Sequence, residues 1–441
     1  MRTTKLFASA LLAATIVVAG CSESTKPNAT PAGSTAKPIS GAAAAQAACK
    51  NAKSVVECAP AGSMLAPYLP KKAMRATGTP IVLGTINQDT GASGAFPELT
   101  VADKVAVDFI NTELNGIDGH PIELVTCNTN FSPDLSQSCA QEMVSKKVAA
   151  VIGGIDIWGT GIQTLENNGI PFVGGIPVSF ESARSKVSHQ FSGGTWGAAL
   201  GMGEYAIEKL HAKKLAIIYA DFGPITDSAK VAETVLKRHG AAVTLIGVSP
   251  INADMVTALN EAAQSKPDAV LALTADTGCK PTMLTAQQIG LKVPVMYTGA
   301  CAATKILDSV GHAADGSIFN LEAELDPKNP DNVMYQAIAQ RYGPKYSYEA
   351  QGAGTVSFRA VMNLYAQLRD LGAAKITPAA INAAFAKAKA APSFFGHAYT
   401  CDGKQLAGYP SLCAPQQTLG VLRNGAITQL TGWIDVGKFA A

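Results

Sequence analysis

The chain has 441 residues, of which 47% are hydrophobic and 15% are charged, and this balance is typical of a globular protein rather than a disordered one. Its 35 Lys and Arg residues nearly match its 33 Asp and Glu residues, so there is no basic excess of the kind that nucleic-acid binding requires. A chain of this length is long enough for two lobes, each with its own hydrophobic core.

The first 20 residues have the pattern of an export signal. Arg2 and Lys5 precede the apolar residues 6–18, and a Val-Ala-Gly run leads into Cys21. This order resembles a bacterial lipoprotein signal peptide. The resemblance implies cleavage before Cys21, lipidation of its thiol, and a mature protein held on a membrane and facing the periplasm or cell exterior. An ordinary secretory peptide followed by a coincidental cysteine is the alternative. No later apolar run is long enough to span a bilayer.

Residues 22–48 contain mainly Ser, Thr, Pro, Ala, Gly and Lys. This composition predicts a flexible tether over 21–48, because it offers too little apolar surface to fold. A cysteine-containing segment follows at 49–78, and its pattern indicates no particular role.

Eight cysteines remain after Cys21, and they fall into close sequence neighbours. In an exported protein, an even number at short separations indicates disulfides, although eight cysteines allow many other connectivities. The predicted pairs are Cys49 with Cys58, Cys127 with Cys139, Cys279 with Cys301, and Cys401 with Cys413. Zinc is the rival interpretation, but there is no Cys-x-x-Cys and the six histidines are scattered. We therefore expect no metal and no cofactor.

From Thr79 onward, short apolar runs alternate with helical patterns. Strands are predicted at 81–86, 122–125, 148–152, 170–173, 215–219, 243–246, 269–273 and 293–297. Helices are predicted at 97–114, 133–146, shortly after Thr160, and at 195–210. Such alternation predicts parallel sheets covered on both faces. Two series in tandem predict an α/β protein with two doubly wound parallel-sheet lobes.

After Ile318 the alternation stops. Helices predicted at 332–342, 352–371 and 378–390 follow one another, and two antiparallel edge strands are predicted at 419–422 and 427–430. A chain that completes two lobes and then returns indicates several crossovers, and therefore a hinge. The predicted lobe 1 comprises 79–192 and 322–392, and the predicted lobe 2 comprises 193–321 and 393–441.

Several short motifs along this region carry a family resemblance. The turn Asn115-Gly-Ile-Asp-Gly119 leads into the strand at Pro121, Gly153-Gly154 ends the third strand, and Phe222-Gly223 follows the first strand of lobe 2. Their order and spacing, from about Thr79 to Asp435, resemble the type I periplasmic binding proteins, in particular the branched-chain amino acid and amide-binding branch. The resemblance implies a two-lobe clamp that captures a small-molecule solute and delivers it to the permease subunits of an ABC importer.

Ligands of open α/β sheets bind beyond the carboxyl ends of the strands. The loops at those ends offer the candidate aromatic contacts Phe96, Trp158 and Phe222 and the candidate polar contacts Asp156, Ser179, Asp221, Thr274, Asp276 and Cys301. The alternatives are that the aromatic rings pack in the core or rim, that Asp221 and Asp276 cap helices, and that Cys301 is disulfide-bonded.

The chain departs from the pattern of the amino-acid-binding relatives. In those relatives, hydroxyl groups hold the ligand carboxylate and an acidic residue holds its ammonium group. Here Ile157 and Val178 stand where the resemblance places the hydroxyls, and Gly299 stands where it places the acid. Asp156 would repel a carboxylate. We therefore expect a less polar ligand than leucine, isoleucine or valine, of an aromatic or alicyclic kind.

Catalytic motifs are missing from the sequence. A G-x-G-x-x-A pattern at 201–206 lies within a predicted helix rather than after a strand, and there is no nucleophile elbow, phosphate-binding loop or H-E-x-x-H. We expect a binding protein and not an enzyme. The alternatives are a sensory receptor that uses the same clamp to signal to a membrane protein, and an enzyme built on this fold.

Overall fold

The structure is a computed structural model that describes residues 42–441. The predicted signal peptide, Cys21 and the first part of the tether lie outside these residues. Within them, two separate sheets built mainly from parallel strands are flanked by helices, which confirms the predicted α/β fold with two lobes. No helix in the range 42–441 combines the length and the apolar character needed to cross a membrane.

Residues 42–78 form an extension that packs on the first lobe. Its elements are helix α1 (Ala42–Cys49) and two 3-10 turns, Val56–Cys58 and Ala66–Tyr68. The extension is fixed at Asp331, whose Oδ1 accepts hydrogen bonds at 2.7 Å from the Ser63 hydroxyl and from the Met64 N–H.

Helix α1 occupies the last part of the segment predicted as a flexible tether. Its alanine-rich sequence favours a helix. Ala45 is fully buried in the core of the first lobe, and Gln340 donates a hydrogen bond to the Ala42 carbonyl at 2.9 Å. The tether prediction is therefore wrong for residues 42–48, because packing against the lobe supplies the burial that their composition alone does not indicate.

The first lobe is built on a five-stranded parallel sheet in the order β2-β1-β3-β4-β5. Its strands are β1 (Ile81–Asn87), β2 (Ile122–Asn128), β3 (Val151–Gly153), β4 (Phe172–Val173) and β5 (Ser188–His189). The helices between them are α2 (Pro97–Glu113), α3 (Pro133–Ser145), α4 (Thr160–Asn167) and α5 (Phe180–Arg184). The strand predicted at 148–152 begins later, at Val151. The reason is that Lys147 is left-handed, with φ 54°, and the Val148 N–H still bonds back to the Met143 carbonyl at the end of α3.

The second lobe is built on a seven-stranded sheet in the order β12-β11-β10-β9-β8-β6-β7. Its strands are β6 (Lys214–Ala220), β7 (Ala242–Val248), β8 (Ala269–Leu273), β9 (Val295–Tyr297), β10 (Ile318–Asn320), β11 (Leu419–Arg423) and β12 (Ala426–Gln429). Its helices are α6 (Gly194–Glu208), α7 (Gly223–Arg238), α8 (Met255–Gln264), α9 (Asp276–Gln288) and α10 (Thr304–Val310). Strands β11 and β12 pair in antiparallel fashion at one edge, as their sequence predicts.

Three helices follow β10 and return to the first lobe: α11 (Pro330–Tyr342), α12 (Gly354–Leu371) and α13 (Pro378–Ala386). A short helix, α14 (Val436–Phe439), ends the chain on the second lobe. Helix α13 is shorter than predicted, since the chain turns after Phe385 and Ala390 adopts a left-handed conformation with φ 46°.

The chain stays with the first lobe beyond residue 392, where the sequence analysis placed a boundary. Phe394, Phe395 and Tyr399 are buried in the core of the first lobe, and the Phe395 ring stacks on Tyr335 of α11 with centroids 4.7 Å apart. This aromatic packing holds the return segment on the first lobe before β11 joins the second sheet. The other predicted lobe boundaries stay predictions.

The four predicted disulfides are present in the structure, at Cys49–Cys58, Cys127–Cys139, Cys279–Cys301 and Cys401–Cys413. The prediction of nearest-neighbour pairing is confirmed. His189 lies beside the Cys401–Cys413 disulfide, whose two sulfur atoms are bonded to each other and so are not available to a metal ion.

Candidate ligand-binding site

The main cavity lies between the carboxyl ends of the two sheets. Its empty volume is about 1050 Å³, part of which is open to solvent. The lining is mostly aliphatic and comes from both lobes, including Phe96, Ile155, Ile157, Ile176, Val178, Ile225, Leu273, Leu321, Leu325, Val356 and Ile427.

These side chains reach the cavity because they lie in short, buried turns that follow the strands. From lobe 1, Ile155 and Ile157 follow β3, and Ile176 and Val178 follow β4; from lobe 2, Leu273 ends β8. Several of these residues, together with Phe96, form one apolar cluster that includes residues of both lobes. An apolar solute between the lobes would therefore extend a hydrophobic contact that already joins them.

The three positions at which the sequence departs from the amino-acid-binding pattern all line the cavity. Ile157 and Val178 are 7% and 6% exposed. At Gly299, an added Cβ would lie 2.7 Å from the Asn320 carbonyl oxygen, so no larger side chain fits there unless the backbone moves. The sequence thus has no acidic residue at this position, and the surrounding backbone leaves no space for one.

Thr274 supplies a hydroxyl without a partner to the cavity. It follows β8, is 7% exposed, and its Oγ1 has no hydrogen-bond partner among the described residues. Leaving a buried hydroxyl unpaired costs free energy, so a ligand group that bonds to it would be favoured. The predicted polar contact Thr274 thus lies in the cavity wall.

Other polar groups in the wall are engaged with the protein. The Thr298 hydroxyl donates to the Thr274 carbonyl at 2.9 Å, and the Thr195 hydroxyl pairs with that of Ser228 at 2.7 Å. The Asn320 side chain accepts from the Gly299 N–H at 2.8 Å. These groups shape the wall and are less available to a ligand than Thr274.

Glu322 is the only charged side chain among the described residues that line the cavity. Its Oε1 accepts from the Gly193 N–H at 2.9 Å and from Gln417 Nε2 at 2.5 Å, and its Oε2 lies 3.7 Å from the buried Arg359 guanidinium. Arg359 also donates to the backbone carbonyls of Glu322 and Phe191. The chain passes between the two sheets near Gly193, Glu322 and Gln417, so Glu322 joins these three segments, and its carboxylate is already satisfied.

The predicted aromatic contacts are divided between the cavity and its mouth. Phe96 lines the main cavity. Trp158 and Phe222, from opposite lobes, instead meet each other edge to face with ring centroids 5.0 Å apart. Phe131 packs against both rings, and its carbonyl accepts a hydrogen bond from Trp158 Nε1 at 3.0 Å. The three rings form a cluster that closes one side of the cleft.

Asp276 also acts between the lobes. It lies in the first turn of α9, its carboxylate accepts a hydrogen bond from the N–H of Thr277 at 2.8 Å, and the carboxylate lies close to the backbone of Gly94 and Ala95 in the first lobe. Burial raises the pKa of this carboxyl. Its contact with the first lobe makes Asp276 part of the closure between lobes rather than part of the cavity wall.

Four other candidates serve local structure. Asp156 is buried and accepts a hydrogen bond from the Ser136 hydroxyl at 2.6 Å, and burial raises the pKa of its carboxyl. Ser179 caps α5. Asp221 accepts from the Thr226 hydroxyl at 2.8 Å, and Cys301 is bonded to Cys279. None of the four lines the main cavity.

Two parts of the wall were not predicted from the sequence. Glu322 follows β10, which was not among the predicted strands; Gln351 and Ala353 come just before α12, and Thr355 and Val356 lie in its first turn. A search restricted to loops after strands does not reach a helix that returns late in the chain. The Gln-Gly-Ala-Gly run before α12 was the available signal, since Gly352 has φ 84° and lies against Ala303 of the second lobe.

Comparisons with solved structures show the same fold. The chain is similar to a fatty acid ABC transporter substrate-binding protein from Thermomonospora curvata, with 17% identity, 83% of this chain and 96% of that chain covered, and a TM-score of 0.69. It is also similar to LivJ from Streptococcus pneumoniae in complex with isoleucine, with 16% identity, 80% and 100% covered, and a TM-score of 0.64. It is similar as well to the leucine-binding protein LivK from Thermotoga maritima, with 17% identity, 80% of this chain and 98% of that chain covered, and a TM-score of 0.64.

A search of curated protein sequences gives no match. A model of the family described as periplasmic binding protein matches residues 80–409, which is well over half of the sequence. The predicted resemblance to type I periplasmic binding proteins is thereby confirmed. The chain belongs to the periplasmic binding protein family, a family of extracytoplasmic binding proteins rather than enzymes.

Proposed function

We propose that the protein captures a small, uncharged and largely apolar organic solute between its lobes and delivers it to an ABC importer. The observation that carries this proposal is the cavity wall, which is mostly aliphatic and offers the Thr274 hydroxyl without a partner. A mostly apolar pocket with few polar groups is the usual form of a site for such a molecule.

An α-amino acid fits this wall poorly. Its carboxylate would face Ile157 and Val178, and its ammonium group would find no acid at Gly299. Burying a charged group without a partner costs several kcal/mol even after the protein relaxes. Glu322 does not replace the missing acid, because its carboxylate is held by Gly193, Gln417 and Arg359. Leucine, isoleucine and valine should therefore be rejected.

A free fatty acid is disfavoured for a related reason. The neighbour from Thermomonospora curvata is named for fatty acids, and its similarity supports an apolar cargo. In this chain, however, no Lys or Arg is among the described residues that line the cavity, and the one charged residue there is acidic. An ionised carboxylate would have no counter-ion, so a neutral compound is the better fit.

Anchoring and delivery complete the proposal. Cys21 would carry a lipid, the chain before α1 would link the lipid to the first lobe, and the closed clamp would be presented to the permease subunits of the importer. No enzymatic step is included. The proposed localisation is the outer face of the cell membrane, toward the periplasm or cell exterior.

A thermal-shift screen of the mature protein tests the ligand class. Neutral alicyclic and aromatic alcohols should raise the unfolding temperature, since a ligand at one hundred times its dissociation constant adds about 2.7 kcal/mol to the unfolding free energy. Leucine and long-chain carboxylates should not. Stabilisation by leucine alone would refute the proposed ligand class. Loss of uptake of the stabilising alcohol in cells that lack the protein would test delivery.

A further inference from the structure

A second, smaller chamber lies next to the main cavity. Its empty volume is about 410 Å³. The two chambers share four wall residues: Ile157 from the first lobe, and Ile225, Thr274 and Ala275 from the second. The partition between them is therefore formed where the lobes meet.

The smaller chamber, called here the outer chamber, is apolar inside and polar at its edge. Its wall includes the rings of Phe131 and Phe222 and the side chains of Val248, Pro250 and Ala253. Ser249 and Thr277, which also line it, are exposed. The outer chamber therefore leads from the partition, past the aromatic cluster at the mouth, toward solvent.

Thr274 lies at the junction and lines both chambers. Its unpartnered, buried hydroxyl marks the point at which a polar group of a ligand would be favoured. The apolar walls on either side would accept hydrocarbon. A ligand that binds before the lobes close can extend from one chamber into the other, past Ile157 and Ile225, which line both.

We propose that the two chambers form one binding site for an elongated, neutral compound. A bulky apolar body occupies the main cavity, a hydroxyl group bonds to Thr274, and an alkyl chain extends into the outer chamber between Phe222 and Ala253. This inference rests on the proposed function and goes beyond it, because it assigns the outer chamber as a subsite and specifies the arrangement of the ligand.

The test uses cyclohexyl alkyl carbinols, in which a cyclohexyl ring and an n-alkyl chain share one hydroxyl-bearing carbon. Calorimetry on the mature protein should show an affinity that rises by about fourfold for each added methylene, the value for a fully buried methylene. The affinity should stop rising once the alkyl chain of the ligand reaches the exposed edge of the outer chamber at Ser249. A series in which the longer compounds bind no better than the methyl compound would overturn the proposal.

Two variants test where the additional affinity of the longer compounds arises. Ala253→Leu fills the outer chamber and should abolish the increase in affinity with the length of the alkyl chain. Ala263→Leu adds the same side chain on α8, outside both chambers, and should preserve the increase. An increase that persists in Ala253→Leu would place the alkyl chain elsewhere and overturn the assignment.

The outcomes separate the two proposals. If cyclohexyl methyl carbinol binds and the compounds with longer alkyl chains bind no more tightly, the two-chamber site is refuted and the proposed function stands. If no carbinol binds and leucine does, the proposed function is refuted together with the inference. The unmodified protein alone gives this distinction, so the test does not depend on the folding of either variant.

Discussion

Substitution of Thr274 by Val removes the only feature of the cavity wall that we expect to bond to a polar group of the ligand. Valine keeps the branched Cβ and its preference for extended backbone, and it removes the unpartnered hydroxyl. A neutral hydrogen bond contributes about 1 kcal/mol net, so the affinity for cyclohexyl ethyl carbinol should fall by about fivefold. The affinity for propylcyclohexane, the same molecule without its hydroxyl, should not fall.

The two ligands and two proteins form a double-mutant cycle, which isolates the bond between the hydroxyls. Calorimetry should give a coupling energy of about 1 kcal/mol. The ligand-free variant should also be more stable to urea than the parent, because the substitution removes a buried hydroxyl that lacks a partner. These two effects have opposite signs, so general damage to the fold cannot produce both.

Thr298→Val is the matched control. The Thr298 hydroxyl donates to the Thr274 carbonyl at 2.9 Å, so its removal leaves that carbonyl without this bond and should lower the unfolding free energy. Its effect on the two ligands should be equal. A loss of affinity in Thr274→Val that is the same for the alcohol and the hydrocarbon would refute the assignment of Thr274 as the polar contact.

Four further outcomes are expected. Cys21→Ala should release the protein from the membrane fraction, and unchanged membrane association would contradict the lipid anchor. Replacing the Cys279–Cys301 disulfide by two serines should lower the unfolding free energy by about 3 kcal/mol, as measured by unfolding in urea. An unchanged urea midpoint would contradict a stabilising role of this disulfide. Trp158→Ala should weaken the binding of alicyclic and aromatic alcohols equally, by about fivefold, because its ring packs on Phe222 across the closed cleft; a loss confined to aromatic ligands would indicate direct stacking instead. Burial raises the pKa of Glu98 to about 7 from its ordinary 4.5, so the folded state retains a proton that the unfolded chain has lost. The unfolding free energy should therefore fall as the pH rises from about 4.5 to about 7, and Glu98→Gln should make this decline shallower; an identical decline in the variant would refute the role of Glu98.

The fold could be predicted from the sequence because its signals are local. Buried strands such as Ile81–Asn87 and Lys214–Ala220 are rich in consecutive apolar residues, and glycine-containing turns separate several strands from helices. The disulfides could be predicted because each pair closes a short loop in an exported chain. The packing of α1 on the first lobe could not, since it depends on contacts with residues such as Gln340, far away in the sequence.

The site was predictable only in part, for a geometric reason. Strand order indicates which loops meet in the cleft, and Phe96 and Thr274 were found in that way. Strand order does not indicate how far the lobes close. In the structure, Trp158 and Phe222 contact each other and Asp276 lies close to Ala95. Glu322 was missed because its role depends on three crossover segments that converge in space.

The central claim is that the cleft is a site for a neutral apolar solute and not for an amino acid. Calorimetric titration of the mature protein with cyclohexyl ethyl carbinol and with leucine, under identical conditions, tests it most directly. We expect measurable binding of the carbinol and none of leucine, because Ile157, Val178 and Gly299 leave both charges of a zwitterion without partners. Micromolar or tighter binding of leucine, with no binding of the carbinol, would contradict it.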